Sequence, residues 1–203
     1  MVQSHADNAH YTKDDQELLQ FVSNQIAAAI ERKQMVASLQ QMALYDPLTQ
    51  LPNRALFHDR MQLALARVRR DHVHLSLLYL DLDKFKDVND SFGHGTGDLL
   101  LQGVARRLEE CVRAGDTVAR LAGDEFVILL ENIGVPEHAA PIVEKIRSAL
   151  KKPFELAGHK ISILPSIGVA HCPLDGNDEQ QLLSYADAAM YMQKKGLARP
   201  KLD

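Results

Sequence analysis

The spacing of apolar residues divides most of the chain into helices and strands. Helical periodicity predicts helices over residues 55–70, 99–112, 138–151 and 179–195. Short apolar runs predict strands over residues 75–81 and 160–170, and a hairpin over residues 117–130. Pro165 indicates an edge, a bulge or a break in the last strand, because proline has no backbone N–H. Strands alternating with helices predict a mixed α/β fold whose sheet is covered on at least one face.

Residues 14–44 form a long helical pattern without glycine or proline. Six apolar side chains in it follow heptad spacing: Leu19, Val22, Ile26, Ala29, Val36 and Ala43. Lys33 and Gln40 occupy heptad position a, where a coiled coil normally carries apolar side chains, and so interrupt the seam. The pattern predicts a linker helix that pairs with a second copy in a parallel dimer. The alternative is a helix that packs on its own domain.

Two adjacent carboxylates, Asp124 and Glu125, follow Gly123 where the predicted hairpin turns. Two like charges at a rigid turn repel each other and are stabilised by a cation between them. A polar turn explains Asp124 alone.

A second acidic pair ends the predicted strand 75–81. Alternation places Asp81 and Asp83 on the same side of that strand. The carboxyl end of a buried strand is a common ligand position in α/β sheets. A strand end that reaches solvent, with Asp83 capping a short helix, is the alternative. Two acidic strand ends in one small chain favour a site for a hard cation.

A third cluster, residues 93–98, contains three glycines and precedes the predicted helix 99–112. Such a turn permits close approach of a ligand to free helix N–H groups. Asp98 is equally suited to cap that helix without any ligand.

Together these clusters resemble the GGDEF (diguanylate cyclase) family, with Ala122-Gly123-Asp124-Glu125-Phe126 as an AGDEF variant of its signature. The residues that carry the resemblance are Asp81, Asp83, Phe85, Lys86, Asn89, Asp90, Gly93, His94, Gly97, Asp98 and Arg120. Residues 46–54 resemble the opening turn of the family, 166–170 its late strand and 186–194 its last helix. The predicted organisation is a disordered or sensor-derived start (1–13), the linker helix (14–44), a GGDEF domain (45–199) and a tail (200–203). Residues 15–33 weakly resemble the final helix of a GAF sensor domain.

The resemblance implies an adenylate-cyclase-like α/β palm, with a mostly antiparallel central sheet flanked by helices and an N-terminal helical extension. It implies condensation of two GTP into cyclic di-GMP and two pyrophosphates, with two Mg²⁺ or Mn²⁺ per active site. Asp81, Asp124, Glu125 and the carbonyl of Leu82 are the implied metal ligands. Asp124 and Glu125 are the implied catalytic residues. In-line attack on a phosphate depends on positioning and electrostatics, which such a site supplies.

The resemblance also implies a set of substrate-binding residues, which are Phe85, Lys86, Asn89, Asp98, Gly123 and Lys194. An amide and a carboxylate together match the donors and acceptors on the edge of guanine. A turn residue at Asn89 and solvated lysines at 86 and 194 are the alternatives.

Arg113 and Asp116 match the inhibitory site at which the family binds its product. A surface turn that closes helix 99–112, with Gly115 as its C-terminal stop, is the alternative. Arg120 and Arg199 are assigned either to phosphate binding or to a structural role.

Two departures from the family pattern weaken the prediction of activity. Ala122 replaces the first signature glycine, and Ala198 stands where the last helix of the family carries an arginine. The alternative function is therefore a catalytically weak or degenerate domain. Such a domain binds GTP or cyclic di-GMP and regulates a partner, for example a downstream EAL phosphodiesterase.

Composition adds the cellular context. The chain has 203 residues, 46% of them hydrophobic, and a net charge of −4. These values predict a soluble cytoplasmic domain without a membrane span or a signal peptide. The lack of a basic surplus argues against nucleic-acid binding. Cys111 and Cys172 are predicted to be free thiols in a reducing compartment.

Overall fold

The computed structural model describes residues 13–196. Residues 1–12 and 197–203 lie outside it, and with them Arg199, which the sequence assigned either to phosphate binding or to a structural role. The chain divides into two compact units, and the boundary falls between Ala43 and Leu44. Within the described range, no helix is both long enough and apolar enough to cross a bilayer.

The first unit consists of helix α1 (Lys13–Leu44), whose last residue opens the second unit. Large apolar side chains of α1 are exposed to solvent, among them three of the predicted seam: Leu19, Val22 and Ile26. Leu18, Phe21 and Ile30, which lie outside the heptad seam, are also exposed. An exposed apolar surface of this length is unusual for a helix in water.

The second unit contains five further helices, which are α2 (Arg54–Asp71), α3 (Phe85–Phe92), α4 (His94–Glu109), α5 (Ala139–Lys151) and α6 (Glu179–Lys194). Its strands are β1 (Leu75–Leu82), β2 (Thr117–Ala122), β3 (Glu125–Leu130), β4 (Phe154–Leu156), β5 (His159–Ile161) and β6 (Pro165–Cys172). A short 3₁₀ turn, Pro136–His138, precedes α5.

Four strands form one sheet in the order β2-β3-β1-β6, and every pairing in it is antiparallel. The central strand β1 is buried along almost its whole length, as its continuous apolar run predicts. Strands β4 and β5 form a separate ribbon. The predicted mixed α/β fold with an antiparallel sheet and flanking helices is confirmed.

Helices cover both faces of the sheet. Side chains such as Leu78 and Phe126 belong to the core cluster that includes α4 and α5, whereas Leu77 and Val127 belong to the cluster that includes α2 and α6. Helix α6 approaches β6 so closely that a β-carbon at Gly168 would collide with the backbone of α6. The alternation of β1 therefore assigns Asp81 and Tyr79 to the α2/α6 face.

Several predicted boundaries are wrong. The helix predicted over 99–112 begins at His94 and ends at Glu109, so Gly93 alone remains as a turn residue and Gly115 does not end the helix. The predicted strand 160–170 is two strands, β5 and β6. The second begins at Pro165 on the sheet edge, where the missing N–H is tolerated. Helix α3 and strand β4 were not predicted.

Candidate active site

Two acidic side chains from neighbouring strands meet at one end of the sheet. Asp81 is the register partner of Glu125 across the β1–β3 pair. Opposed residues in an antiparallel pair have β-carbons roughly 5 Å apart and project to the same face. Like charges at that position are unfavourable unless a cation or donor group lies between them. The sheet register therefore joins two carboxylates that are 44 residues apart in sequence.

The third carboxylate belongs to the turn between β2 and β3. This turn has two residues, Gly123 and Asp124, and Gly123 has φ +50°, in the left-handed region that glycine adopts most easily. Burial, followed by the negative charge of Asp81, raises the pKa of Asp124 above its ordinary value. Asp124 is thus close enough to Asp81 for the two charges to interact, and it holds a proton more tightly than a solvated aspartate.

A lysine from the last helix reaches the same group of carboxylates. Lys194, at the end of α6, has its Nζ 2.5 Å from Oδ1 of Asp81. This hydrogen bond is the main reason that the pKa of Lys194 is raised, and the charges of Asp83 and Asp124 act in the same direction. Lys194 is therefore the counter-charge of the acidic cluster, which favours a site-related position over the alternative of a solvated lysine.

Asp83 does not lie on the strand, because β1 ends at Leu82. The alternation of strand side chains therefore does not determine the direction of Asp83, contrary to the prediction from sequence. Its carboxylate accepts a hydrogen bond of 2.7 Å from the hydroxyl of buried Ser166 on β6. The alternative that Asp83 caps a short helix is wrong. The N-cap of α3 is Lys84, and α3 has no side-chain cap.

The acidic cluster fits a divalent cation that also binds substrate. Within residues 13–196, no three His, Cys, Asp or Glu side chains are gathered into a ready-made metal cage. Mg²⁺ is usually bound by one or two carboxylates, with water and substrate phosphates as its other ligands. Asp81 and Glu125 on one face, with Asp124 nearby, are a donor set of that kind.

The predicted guanine readers come together between α3 and α4. Asn89 lies within α3, and its side chain occupies the space where a β-carbon of Gly97 would be; the ring of Phe85 borders the same space. Asp98, the next residue of α4, is exposed. Both alternatives, a turn residue at Asn89 and an N-cap at Asp98, are wrong, since each residue is inside a helix.

Lys86 lies in the first turn of α3 and is exposed. No hydrogen bond or ion pair of its ammonium group is found within the described range.

An ion pair that sequence reasoning missed holds the acidic hairpin, residues 117–130, to the opening turn, residues 46–54. Nη1 of Arg120 lies 2.8 Å from Oδ1 of Asp46, and its Nε donates to the carbonyl of Gly123 at 2.9 Å. The two side chains are only 11% and 19% exposed. Asp46 also accepts hydrogen bonds from the amide and hydroxyl of Thr49. These contacts favour the structural role of Arg120, and no local pattern signals a partner 74 residues away.

Arg113 and Asp116 lie in the loop between α4 and β2. Asp116 accepts hydrogen bonds from the backbone N–H groups of Arg113 and Glu131. Both residues line two shallow cavities, one of about 300 Å³ and one of about 380 Å³. Asp116 therefore fixes the loop itself, while exposed Arg113 faces open space on either side.

A family model described as "Diguanylate cyclase, GGDEF domain" matches residues 43–199. The chain belongs to the GGDEF family. Its acidic hairpin and the strand end at Asp81 carry two of the motifs on which the resemblance rested.

Curated relatives are longer than this GGDEF chain. The bifunctional diguanylate cyclase/cyclic di-GMP phosphodiesterase MucR of Pseudomonas aeruginosa is 47% identical over 154 residues, which are 76% of this chain and 22% of MucR. The diguanylate cyclase TpbB of the same species is 39% identical over 160 residues, which are 78% of this chain and 37% of TpbB. The chain thus spans well under half the length of these relatives.

Solved structures show the same fold. The GGDEF domain of TpbB matches with a TM-score of 0.73 and 37% identity, over 76% of this chain and 99% of that one. The coiled coil and GGDEF domain of DgcB from Caulobacter crescentus, in complex with cyclic di-GMP, matches with a TM-score of 0.77 and 26% identity. That match covers 88% of this chain and 95% of DgcB's. The predicted palm with an N-terminal helical extension is confirmed.

Proposed function

We propose that this GGDEF domain is an active diguanylate cyclase, which condenses two GTP into cyclic di-GMP and two pyrophosphates. The observation that carries the proposal is the acidic cluster, in which Asp81 is paired in register with Glu125 beside Asp124 and Lys194. These groups lie at the hairpin that is the family's signature.

Asp81, Asp124, Glu125 and the carbonyl of Leu82 would hold two Mg²⁺ or Mn²⁺ ions. Bound there, the metal neutralises charge on the transferred phosphate and makes the attacking hydroxyl more acidic. Asp124, at the tip of the hairpin, either shares a metal ion or accepts the proton of the attacking 3′-hydroxyl.

The remaining residues bind and orient the nucleotide. The amide of Asn89 would donate and accept hydrogen bonds at the guanine edge, and the carboxylate of Asp98 would accept them. Phe85, which borders the same space as Asn89, would lie beside the base. Lys194 pairs with Asp81, and in the proposed complex its ammonium group would bind the phosphates of the nucleotide. Lys86 and the backbone at Gly123 complete the proposed substrate contacts.

The reaction joins two substrates, so we further propose that two copies act together. The exposed apolar surface of α1 supports a parallel dimer through this helix. Arg113 and Asp116 would bind product cyclic di-GMP and slow the enzyme, and exposed Arg113 between two cavities supports this. MucR is by its name also a cyclic di-GMP phosphodiesterase, which supports the proposal that an EAL phosphodiesterase domain accompanies this one. A sensor domain and a cytoplasmic location are further parts of the proposal.

A degenerate domain that binds nucleotide and regulates a partner is the second candidate. The observation in its favour is Ala122, which precedes the turn, is register partner to Glu125 and adds a methyl group where the family has glycine.

Incubating the protein with GTP and Mg²⁺ or Mn²⁺, and measuring cyclic di-GMP, decides between the two. We expect product from the wild type, and none from a variant carrying Asp124→Ala and Glu125→Ala. Asp59→Ala, which removes an exposed carboxylate on α2, is the matched control and should retain activity. Tight GTP binding without product would support the degenerate domain, and product from the double variant would refute the assignment of the site.

A further inference from the structure

Helix α6 loses its apolar contact with the sheet before its last turn. Its buried residues are Leu182, Ala186 and Met190, which follow one another at intervals of four. The next core-facing position of this series is Gln193, one turn further along the helix. A polar side chain therefore occupies a place where the periodicity favours an apolar one, and the sequence pattern assigned it no role.

The side-chain amide of Gln193 binds the backbone of β6. Its Oε1 accepts a hydrogen bond of 3.0 Å from the N–H of Ile167. Strand β6 ends the four-stranded sheet, so every second N–H of β6 points away from β1. Ile167 is only 5% exposed, and a buried N–H needs a partner. The amide of Gln193 therefore takes the place of a neighbouring strand at this residue.

This hydrogen bond is the second of two anchors between α6 and β6. The first is the close approach at Gly168, where an added β-carbon would collide with the backbone of Ala186 and Met190. Beyond Met190 the side chains of α6 are half-buried or exposed. Helix ends fray easily where few side chains pack. Gln193 therefore holds the last turn of α6 to the sheet.

The residue that follows Gln193 is Lys194, whose Nζ lies 2.5 Å from Oδ1 of Asp81. Consecutive side chains of a helix point about 100° apart. Fixing Gln193 on β6 therefore also fixes the direction in which Lys194 leaves the helix. Asp81 is the register partner of Ser166, the neighbour of Ile167, so both contacts lie at the same end of the sheet.

We propose that Gln193 is a positioning residue, which directs Lys194 to the nucleotide by fixing the last turn of α6 on β6. The role rests on the proposed function, in which Lys194 binds the phosphates. A neutral hydrogen bond shifts an equilibrium by about three- to tenfold. When the last turn is in place for a smaller fraction of the time, the apparent affinity for the nucleotide falls by the same factor.

The test measures binding of 3′-deoxy-GTP, which lacks the attacking hydroxyl, to the purified protein by calorimetry in Mg²⁺. Gln193→Met keeps the length and helix propensity of the side chain but removes the amide. We expect its Kd for the analogue to rise by about three- to tenfold. The Tm should fall by no more than roughly 2–4 °C.

Gln180→Met, at an exposed glutamine in the first turn of α6, is the matched control and should bind the analogue as the wild type does. A purely structural role of Gln193 predicts a lower Tm with an unchanged Kd, and that result would refute the proposal.

Amide hydrogen exchange at Ile167 tests the contact itself. The N–H should exchange faster in Gln193→Met than in the wild type. It should regain its protection in Gln193→Glu, because a carboxylate oxygen also accepts a hydrogen bond. Equal exchange in the wild type and Gln193→Met would contradict the contact, and the positioning role with it.

Lys194→Met separates the two levels of the proposal. If Lys194→Met weakens binding and Gln193→Met stays within about twofold of wild type, the positioning role is refuted while the assignment of Lys194 stands. If Lys194→Met itself leaves the Kd unchanged, Lys194 is not a phosphate contact and the positioning role fails with it. The cyclic di-GMP assay tests the cyclase activity independently of both.

The double variant gives the last test. When both single variants bind weakly, the double variant should be no weaker than Lys194→Met alone, because Gln193 acts only through Lys194. An additive loss would contradict the role.

Discussion

Replacing Arg120 by methionine tests whether the opening turn holds the acidic hairpin in place. Methionine keeps the apolar stem but removes both hydrogen bonds, the one to Asp46 at 2.8 Å and the one to the Gly123 carbonyl at 2.9 Å. A charge-assisted hydrogen bond contributes ~1.5–3 kcal/mol to stability, and a second, weaker one about 1 kcal/mol.

The ion pair is largely but not fully buried, and Thr49 still donates to Asp46 after the change. The expected loss is therefore below the ~3–5 kcal/mol seen when one partner of a fully buried pair is removed. We expect a decrease of about 2–3 kcal/mol in the free energy of unfolding. This corresponds to a fall in Tm of roughly 4–12 °C for a domain of this size.

Urea denaturation and thermal unfolding measure the loss. Arg70→Met is the matched control, because Arg70 also pairs with an aspartate, Asp71, but is exposed to solvent, and no shift is expected. In a double-mutant cycle with Asp46→Asn, the double variant should lose less stability than the sum of the losses in the two single variants. A misplaced hairpin should also lower kcat by roughly tenfold to a hundredfold. Unchanged stability in Arg120→Met would refute the structural role of this arginine.

Three further predictions concern the substrate site, the acidic turn and the linker helix. In Gly97→Ala the new methyl group displaces the side chain of Asn89, so the affinity for GTP measured by calorimetry should be at least about tenfold weaker. Gly95→Ala is the control and should bind GTP normally, because the space around its β-carbon is open. The raised folded-state pKa of Asp124 means that its ionisation opposes folding: the penalty is absent below the unfolded pKa near 3.8 and complete above the folded pKa. Asp124→Asn should therefore raise Tm at pH 7 but not at pH 3, and an equal shift at both would contradict this sign. Ile26→Asp in α1 should shift a dimer toward monomer in analytical ultracentrifugation, and an unchanged sedimentation would exclude α1 as the interface.

Local patterns were sufficient for the core elements of the fold. The continuous apolar run of β1, the hairpin with Gly123 at its turn and the periodicity of α5 each depend on neighbouring residues in sequence. The start of α4 was predicted wrongly because three glycines usually indicate a loop. Here Asn89 and Phe85 pack where a side chain at Gly97 would be, and this tertiary packing outweighs the low helix propensity of glycine.

The sequence by itself determined the family resemblance, the mixed α/β character and the set of acidic, amide and basic residues that carry the proposed chemistry, because these follow from residue types at fixed spacing. The antiparallel sheet was what the resemblance implied. Only the tertiary structure decided which of them meet. The Asp81–Glu125 register, the Lys194–Asp81 pair across 113 residues and the Asp46–Arg120 pair across 74 residues are contacts between distant segments. Periodicity records which face a side chain occupies but not which partner the fold brings to that face.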